Sequence, residues 1–375
     1  MAEPMRLPRR VLMTADAVGG VWTYALDLAA VYAGIGIRTM LAVTGPMAEA
    51  ERRRADAVPG LTIETAPFKL EWMAEAEADL QRTESWLLGL AARYRPELVH
   101  LNNFAAALVP WGVPSVLVAH SCLATWWRAV HGGPPGPEWS AYLDRVRRAF
   151  RSADAVVAPS RAMRADLVAA YPGESLERIA VIHNGRDRRL FSPVAKEPFI
   201  LCAGRLWDRG KGIATLNEAA AGLDWPVHAA GPLEEPDGGV MLFEHLTCLG
   251  SLSEADLARQ VGRAAIFCAP SLYEPFGLTA LEAAMSGAAL VLSDIPTFRE
   301  LWDGAAAFAP PGDVAALHAE LAALSGDADR RSGLAEAARL RAANYSVAEA
   351  ARRYAALYGE LLARDTQPTL ARAAG

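Results

Sequence analysis

Short apolar runs and helical stretches alternate along the first half of the chain. The runs are continuously apolar, which is typical of parallel strands that are buried on both faces of a sheet. A helix is predicted over residues 21–33. Strands that alternate with helices indicate repeated βαβ units and a doubly wound α/β sheet. The runs predict strands at 9–15, 38–43, 62–66, 98–101, 115–119, 155–158 and 179–182.

The same pattern restarts after a linker at residues 183–198, which are rich in Arg, Asn, Gly and Pro. Two α/β halves hinged near residue 190 form a cleft, the usual place for a ligand. The second half predicts strands at 199–203, 227–230, 264–269 and 288–293, and helices at 213–221, 253–261 and 278–285. Three further helices are predicted at 314–323, 331–343 and 347–363, the last with an apolar face.

Length, composition and charge exclude several classes of protein. A chain of 375 residues suggests two domains. Hydrophobic residues make up 52% and charged residues 21%, so a largely disordered chain is excluded. The net charge of −6 gives no electrostatic footprint for nucleic acid, and no nucleic-acid partner is expected.

Cysteine spacing and hydropathy predict a reduced, cytoplasmic protein. The four cysteines stand far apart without a Cys-x-x-Cys pair, which favours buried thiols over disulfides or zinc. The first ten residues are polar and basic, unlike a secretory signal peptide. No stretch approaches the roughly 20 apolar residues of a membrane span.

The first candidate site lies between the first strand and the first helix, where Asp16 is followed by Gly19 and Gly20. Glycines let the backbone approach a ligand closely, and the helix behind them offers unpaired N–H groups to a phosphate. The spacing is neither Gly-x-Gly-x-x-Gly nor that of a Walker A loop. A simple tight turn is the alternative.

The second candidate follows the first strand of the second half. Arg205 and Lys211 enclose a loop between Gly204 and Gly212 that leads into a helix. Two cations at the end of a strand can bind a diphosphate, Arg as a planar fork and Lys as a point charge. A solvated basic turn is the alternative.

The third candidate is a strand, a turn and a helix start that carry Glu274, Gly277 and Glu282. Glu282 stands in an apolar stretch of helix, an unusual place for a charge without a partner. Carboxylates accept hydrogen bonds from pairs of sugar hydroxyls, and the N–H groups at the helix start suit a phosphate. For Glu282 alone, an interaction with the helix dipole is the alternative.

The second half, from about residue 199 to 313, resembles the nucleotide-sugar-binding domain of retaining GT-B glycosyltransferases of family 4. Arg205 and Lys211 resemble the diphosphate clamp of that family, and Glu274 with Glu282 resembles its Glu-x7-Glu motif. The first half matches more loosely, through Gly19-Gly20, His120 and residues 183–187. The family's usual Asn-Gly-Val-Asp reads Asn-Gly-Arg-Asp here, which places Arg186 at the hinge.

The resemblance implies a GT-B fold: two Rossmann-like doubly wound domains that face each other across a cleft, with the last helix returning to the first domain. It implies an acceptor-side domain of residues 1–190 plus about 347–375, and a donor domain of 191–346. It also implies roles for single residues. Arg205 and Lys211 would neutralise the leaving diphosphate, Glu274 would touch the transferred sugar, and Glu282 would hold the ribose. His120 would face the reaction centre. Further donor contacts are implied for Gly19, Gly20, Gly204, Phe276, Gly277, Leu278 and Thr279.

The acceptor candidates are polar and aromatic residues near the ends of first-half strands. Asp16, Asn102 and Asn103 could meet an acceptor hydroxyl, and Trp126 with its neighbour Trp127 could stack on a sugar ring. Core packing is the alternative for the tryptophans, and a strand-end histidine is the alternative for His120. A basic helical stretch at 145–151 could meet an anionic membrane, but a solvated helix face is the preferred interpretation.

The sequence thus predicts a retaining, metal-independent glycosyltransferase with no cofactor. Asp327 and Asp329 form an Asp-x-Asp between two helices, not at a strand end, so no metal is implied. A UDP-, GDP- or ADP-type sugar is the expected donor, and the acceptor is open. The alternatives are a catalytically silent nucleotide-sugar binder and a nicotinamide-dependent oxidoreductase, whose glycine fingerprint the first loop lacks. A hydrolase with paired carboxylates is a further rival, but here both glutamates belong to one strand–turn–helix unit.

Overall fold

The computed structural model describes residues 6–16, 19–45, 47, 49–73, 75–235 and 238–365. A first sheet contains all seven strands that the sequence predicts for the first half, in the order β3-β2-β1-β4-β5-β6-β7, with every neighbouring pair parallel. The strands are β1 (Arg10–Asp16), β2 (Arg38–Thr44), β3 (Leu61–Ala66), β4 (Leu98–Leu101), β5 (Ser115–Val118), β6 (Ala155–Ala158) and β7 (Ala180–Val181). The helices are α1 (Gly20–Gly34), α2 (Glu49–Asp56), α3 (Glu77–Tyr94), α4 (Leu123–His131), α5 (Ser140–Ser152) and α6 (Arg161–Ala170).

A second parallel sheet has the order β10-β9-β8-β11-β12-β13. Its strands are β8 (Glu197–Ala203), β9 (Val227–Ala230), β10 (Thr247–Gly250), β11 (Ala264–Ala269), β12 (Ala289–Ser293) and β13 (Ala307–Ala309). The helices are α7 (Ile213–Ala220), α8 (Glu254–Arg263), α9 (Leu278–Met285), α10 (Pro296–Trp302), α11 (Val314–Gly326) and α12 (Ala328–Ala342). The sequence prediction missed β10 and β13, the two edge strands.

Burial explains why these runs form parallel strands. Every residue of β4, β5, β11 and β12 is buried, because helices cover both faces of each sheet. The prediction placed the start of α12 too late. The carboxylate of Asp327 accepts a hydrogen bond from the N–H of Arg330, so it caps this helix three residues earlier.

The last helix, α13 (Val347–Asp365), returns to the first sheet as predicted. Tyr354, Tyr358 and Leu361 join the apolar cluster that α1 forms against β1. The hydroxyl of Tyr32 on α1 donates to the hydroxyl of Tyr358 at 2.9 Å. This crossing ties the end of the chain to the first lobe.

The two sheets form two lobes that touch on either side of a cleft. The hydroxyl of Ser160 in the first lobe donates to the carbonyl of Pro275 in the second at 2.7 Å. Glu300 on α10 accepts from the N–H groups of Arg161 and Ala162 on α6. The division into an acceptor-side and a donor domain at residues 190 and 346 stays a prediction, and its last ten residues lie outside the described part of the chain.

Candidate active site

A cleft of about 580 Å³ lies between the lobes, at the carboxyl ends of the strands. Its walls contain every residue that the sequence analysis assigned to catalysis or donor binding: His120, Arg205, Lys211, Glu274, Gly19, Gly20, Gly204, Phe276, Gly277, Leu278, Thr279 and Glu282. Asp16 also lines it, whereas Asn102 and Trp126 line a neighbouring cavity. The structure therefore brings the three candidate motifs together at one place.

Lys211 is held at the cleft by a loop with little freedom to move. Its ammonium group contacts Oε2 of Glu274 at 2.6 Å. The N–H groups of Leu272 and Tyr273 both donate to the carbonyl of Gly210. Gly212 has φ of 65°, and a Cβ there would collide with the carbonyl oxygen of Pro270, so only glycine fits. The clamp loop and the glutamate turn thus form one unit.

Arg205 is positioned by an aspartate that the sequence analysis did not single out. Its guanidinium contacts Oδ2 of Asp208 at 2.8 Å. Oδ1 of Asp208 accepts from the Trp126 indole at 3.0 Å and from the Gly210 N–H at 2.9 Å. Burial favours the neutral acid, but Arg205 and Lys211 hold the pKa of Asp208 below its ordinary value.

Two features around Arg205 indicate an anion. Its Nε is buried and has no hydrogen-bond partner among the described residues. Both lobes also present the start of a helix that begins behind a glycine, Gly19 for α1 and Gly277 for α9, so no side chain caps either end. A Cβ added to Gly19 would lie 3.3 Å from Arg205, and one added to Gly20 would lie 3.3 Å from Leu278. Two cations and two helix dipoles therefore converge on one volume.

His120 is a neutral side chain in a fixed orientation. The amide Nδ2 of Asn102 donates to the carbonyl of Thr14 at 2.6 Å, so its Oδ1 faces the histidine and accepts from Nε2–H at 2.9 Å. Nδ1 of His120 consequently carries a lone pair that can accept a hydrogen bond. Burial lowers the pKa of His120 to about 3. Asn102 thus orients His120.

Glu282 is only 5% exposed and does not stand alone. Its Oε1 lies 2.7 Å from Nε of Arg186, the arginine at the hinge. Burial raises the pKa of Glu282 to about 7, although Arg186 opposes the shift. Nearby, Asn184 lines the cleft with a buried Oδ1 that lacks a partner in the described part of the chain. The sequence analysis quoted Asn184 and Arg186 without assigning either a contact.

A second cavity, of about 480 Å³, opens from the same point and lies against the first sheet. The residues that line both spaces are Asp16, Val21, Trp72, His120, Ser121, Arg205, Trp207, Asp208 and Tyr273. Half of the chain's ten tryptophans line this second cavity: Trp72, Trp126, Trp127, Trp139 and Trp207. All five are half-buried. Only Trp126 and Trp127 were expected from the sequence.

Several polar groups in this aromatic cavity already have intramolecular partners. Glu71 accepts from the N–H groups of Phe104 and Ala105, at 3.0 and 2.6 Å. Oδ1 of Asn103 accepts from the N–H of Ala106 at 2.9 Å. These hydrogen bonds hold the wall together, and the five tryptophans add aromatic surface to it. Such a surface suits a flat ring with an apolar face.

Two of the four arginines in the basic stretch on α5 pair closely with acids. Arg145 pairs with Glu77 at 2.6 Å, and Arg151 makes two hydrogen bonds to Glu174. None of the helices described is both long and apolar enough to cross a bilayer. In the same described residues, no group of three or more His, Cys, Asp or Glu side chains could hold a metal ion.

Comparison with known proteins agrees with this geometry. The family models for Glycosyltransferase Family 4 and for Glycosyl transferases group 1 match residues 18–190 and 186–341. The chain is a glycosyltransferase with the GT-B fold. It belongs to the family 4 type of these enzymes.

Two similar proteins are a synthase and a mannosyltransferase by name. Alpha-maltose-1-phosphate synthase of Mycolicibacterium smegmatis is 29% identical over 64% of this chain, and the match spans 66% of that protein. MMP alpha-(1->4)-mannosyltransferase of Mycolicibacterium hassiacum is 26% identical over 84% of this chain and 87% of that protein.

Solved structures share the fold at lower identity. Sucrose-phosphate synthase from Thermosynechococcus elongatus superposes with a TM-score of 0.78 at 19% identity, over 95% of this chain and all of that one. Anabaena HepE, solved in complex with UDP-glucose, gives a TM-score of 0.75 at 19% identity, over 94% of this chain and all of that one.

Proposed function

We propose that the protein is a retaining, metal-independent glycosyltransferase that moves a sugar from a nucleotide diphosphate sugar to an acceptor bound in the aromatic cavity. The observation that carries the proposal is the convergence of Arg205, Lys211 and two uncapped helix starts on one volume between the lobes. UDP, GDP and ADP sugars remain open as donors. The cytoplasmic location also stays a prediction.

The geometry suits the departure of a diphosphate. When the bond between the anomeric carbon and the phosphate oxygen breaks, negative charge grows on that oxygen. Preorganised cations and helix dipoles stabilise this charge more than they stabilise the ground state. Closure of the two lobes over bound substrates would keep out water, which favours transfer over hydrolysis. Glu274, beside Lys211, is placed to accept hydrogen bonds from the hydroxyls of the sugar.

Retention follows from the family resemblance. The acceptor oxygen attacks the anomeric carbon from the face that the diphosphate leaves, and a donor phosphate oxygen takes the acceptor's proton. One carbon–oxygen bond forms as another breaks. Because the donor phosphate takes the proton, no base from the protein is needed. His120, neutral and fixed by Asn102, accepts a hydrogen bond at this centre rather than holding a charge.

The test combines calorimetric titration with a turnover assay. UDP, GDP and ADP sugars are titrated into the purified protein, and product formation is followed with the donor that binds most tightly. Lys211→Ala and Glu274→Ala should each lower turnover by at least a hundredfold. Arg209→Ala, which removes an exposed cation from the same loop, is the matched control and should retain turnover.

Each result has one meaning for the proposal. If both site variants kept full activity, the assignment of the site would be wrong. Binding of a nucleotide sugar without any turnover in the presence of a broad acceptor panel would favour the silent binder. Measuring the product's anomeric configuration by NMR tests retention. Full activity in EDTA is the expected result for metal independence.

A further inference from the structure

Arg186 is the feature of the hinge that departs from the family's motif. It is only 1% exposed, and each nitrogen of its guanidinium meets a different carboxylate. The terminal nitrogens contact Asp27 on α1 and, at 2.6 Å, Glu254 on α8. Nε lies 2.7 Å from Oε1 of Glu282 on α9. One side chain therefore joins the first lobe, the second lobe and the wall of the donor cleft.

The backbone fixes the place from which this side chain starts. The N–H of Arg186 donates to the carbonyl of Tyr345, and its carbonyl accepts from the N–H of Val347. A Cβ at Gly185 would collide with the backbone of Ser346. The start of α13 thus holds the hinge strand, and the guanidinium is directed at the three acids.

The charges around Arg186 are closely balanced but not neutral. Arg54 on α2 also reaches Glu254, at 2.7 Å. Three carboxylates therefore face two guanidinium groups. A valine at position 186, as the family motif has it, would leave Glu282 without the cation it now contacts. Since buried ion pairs are weak evidence for stability, this arrangement invites a functional explanation.

We propose that Arg186 is a positioning residue that fixes Glu282 to receive the ribose hydroxyls of the donor, and that it links this carboxylate to the first lobe through Asp27. The inference rests on the proposed function. Arg186 forms an ion pair with Oε1, which leaves Oε2 of Glu282 for the ribose hydroxyls. The unpartnered Oδ1 of Asn184, two residues before Arg186 in the same wall, is a second acceptor for the nucleotide.

Nucleotides that lack the ribose hydroxyls give the decisive test. UDP, GDP and ADP are titrated by calorimetry, and the one that binds most tightly is compared with its 2′,3′-dideoxy form. The wild-type protein should bind the dideoxy form about tenfold or more weakly, because hydrogen bonds to a charged group are strong. In Arg186→Met this ratio should fall close to one. Arg186→Lys keeps a charge but loses the fork, so its ratio should be intermediate.

A double-mutant cycle separates positioning from general stability. Glu282→Gln should lower the ribose ratio by itself, and adding Arg186→Lys should lower it no further, since Arg186 acts through Glu282. Glu254→Gln removes another contact of Arg186 and should leave the ratio unchanged. If Arg186→Met does not fold, the Arg186→Lys and Glu282→Gln cycle gives the answer.

Failure of the inference and failure of the proposed function look different. A wild-type protein that binds none of the three nucleotides overturns the proposed function, and the inference with it. A wild-type protein that binds one of them without any preference for ribose overturns the inference alone. So does a preference that folded Arg186→Lys and Arg186→Met proteins retain in full.

Discussion

The donor cleft and the aromatic cavity meet at His120, yet they differ in most of the residues that line them. The cleft presents glycines, two cations and two helix starts, while the cavity presents five indole rings, of which Trp72 and Trp207 also border the cleft. The first recognises charge and must keep it in place as a bond breaks. Under the proposed function, the second binds a flat ring through its shape. The difference teaches that the two substrates of one reaction are selected by different physics, so variants can separate them.

The largest effect is expected in the donor cleft. Arg205→Ala should lower kcat/KM for transfer by about 10²–10³-fold, because a preorganised donor to the leaving oxygen is lost. Arg205→Lys should fall in between, since it keeps the charge but cannot form a fork. Steady-state kinetics with saturating acceptor measure both. A loss of less than threefold in Arg205→Ala would show that the diphosphate leaves elsewhere.

Variants in the aromatic cavity should change the KM for the acceptor. Trp127 lines the second cavity and does not line the donor cleft. Trp127→Ala should raise the KM for the acceptor found in a product screen by about tenfold, since aromatic contacts add about 0.5–1.5 kcal/mol beyond buried area. The donor Kd should not change.

Trp225→Ala is the matched control for this variant, because Trp225 stands away from both spaces and packs against Arg331 in the second lobe. It should leave the KM for the acceptor unchanged. If Trp127→Ala altered donor and acceptor binding equally, the two cavities would not be separate sites.

The two sites also differ in how well the sequence predicts their residues. The clamp and the Glu-x7-Glu motif each lie on one strand–turn–helix unit, so local spacing places their residues correctly. The tryptophans of the second cavity come from positions between 72 and 207, four in the first lobe and Trp207 in the second, and only the folded chain brings them together. Asp208 was missed because an aspartate beside two cations looks like an ordinary surface charge until Trp126 is seen to bind it.

The sequence prediction missed β10 and β13 for reasons that lie in their own residues. β13 is an Ala-Phe-Ala segment inside an alanine run, which a periodicity argument cannot separate from a helix. β10 has four residues, none of them buried, so it lacks the continuous apolar signal of the inner strands. The inner strands β8, β9, β11 and β12 of the second sheet carried that signal, and all four were predicted.

A smaller effect is expected from pH at the donor side. Burial, opposed by Arg186 and reinforced by Glu254 and Asp27, raises the pKa of Glu282 to about 7. If the ionised form accepts the ribose hydroxyls, donor affinity should rise several-fold between pH 6 and 8. The intact nucleotide sugar is the ligand to use, because a free terminal phosphate titrates near pH 6 itself. Glu282→Gln should flatten the dependence.

The same shift has a consequence for stability with the opposite sign. The folded state binds the Glu282 proton more tightly than the unfolded state, whose carboxyl has the ordinary pKa near 4.5. Between about pH 4.5 and 7 this residue therefore makes the free energy of unfolding fall as pH rises. Urea unfolding of wild type and Glu282→Gln across that range measures the difference. A steeper fall in the variant would contradict the assignment.

The smallest effect is expected where the two spaces meet. His120 has a pKa lowered to about 3 by burial, so it stays neutral from pH 5 to 8 and adds no step to the rate profile there. His120→Asn should lower kcat, because the reaction centre loses the imidazole that Asn102 orients. The shape of the pH–rate profile over this range should stay as in the wild type. A step near pH 6 that vanished in His120→Asn would mean that the imidazole is charged during catalysis. His120 would then act as a charged group of the donor cleft rather than as a neutral side chain between the two sites.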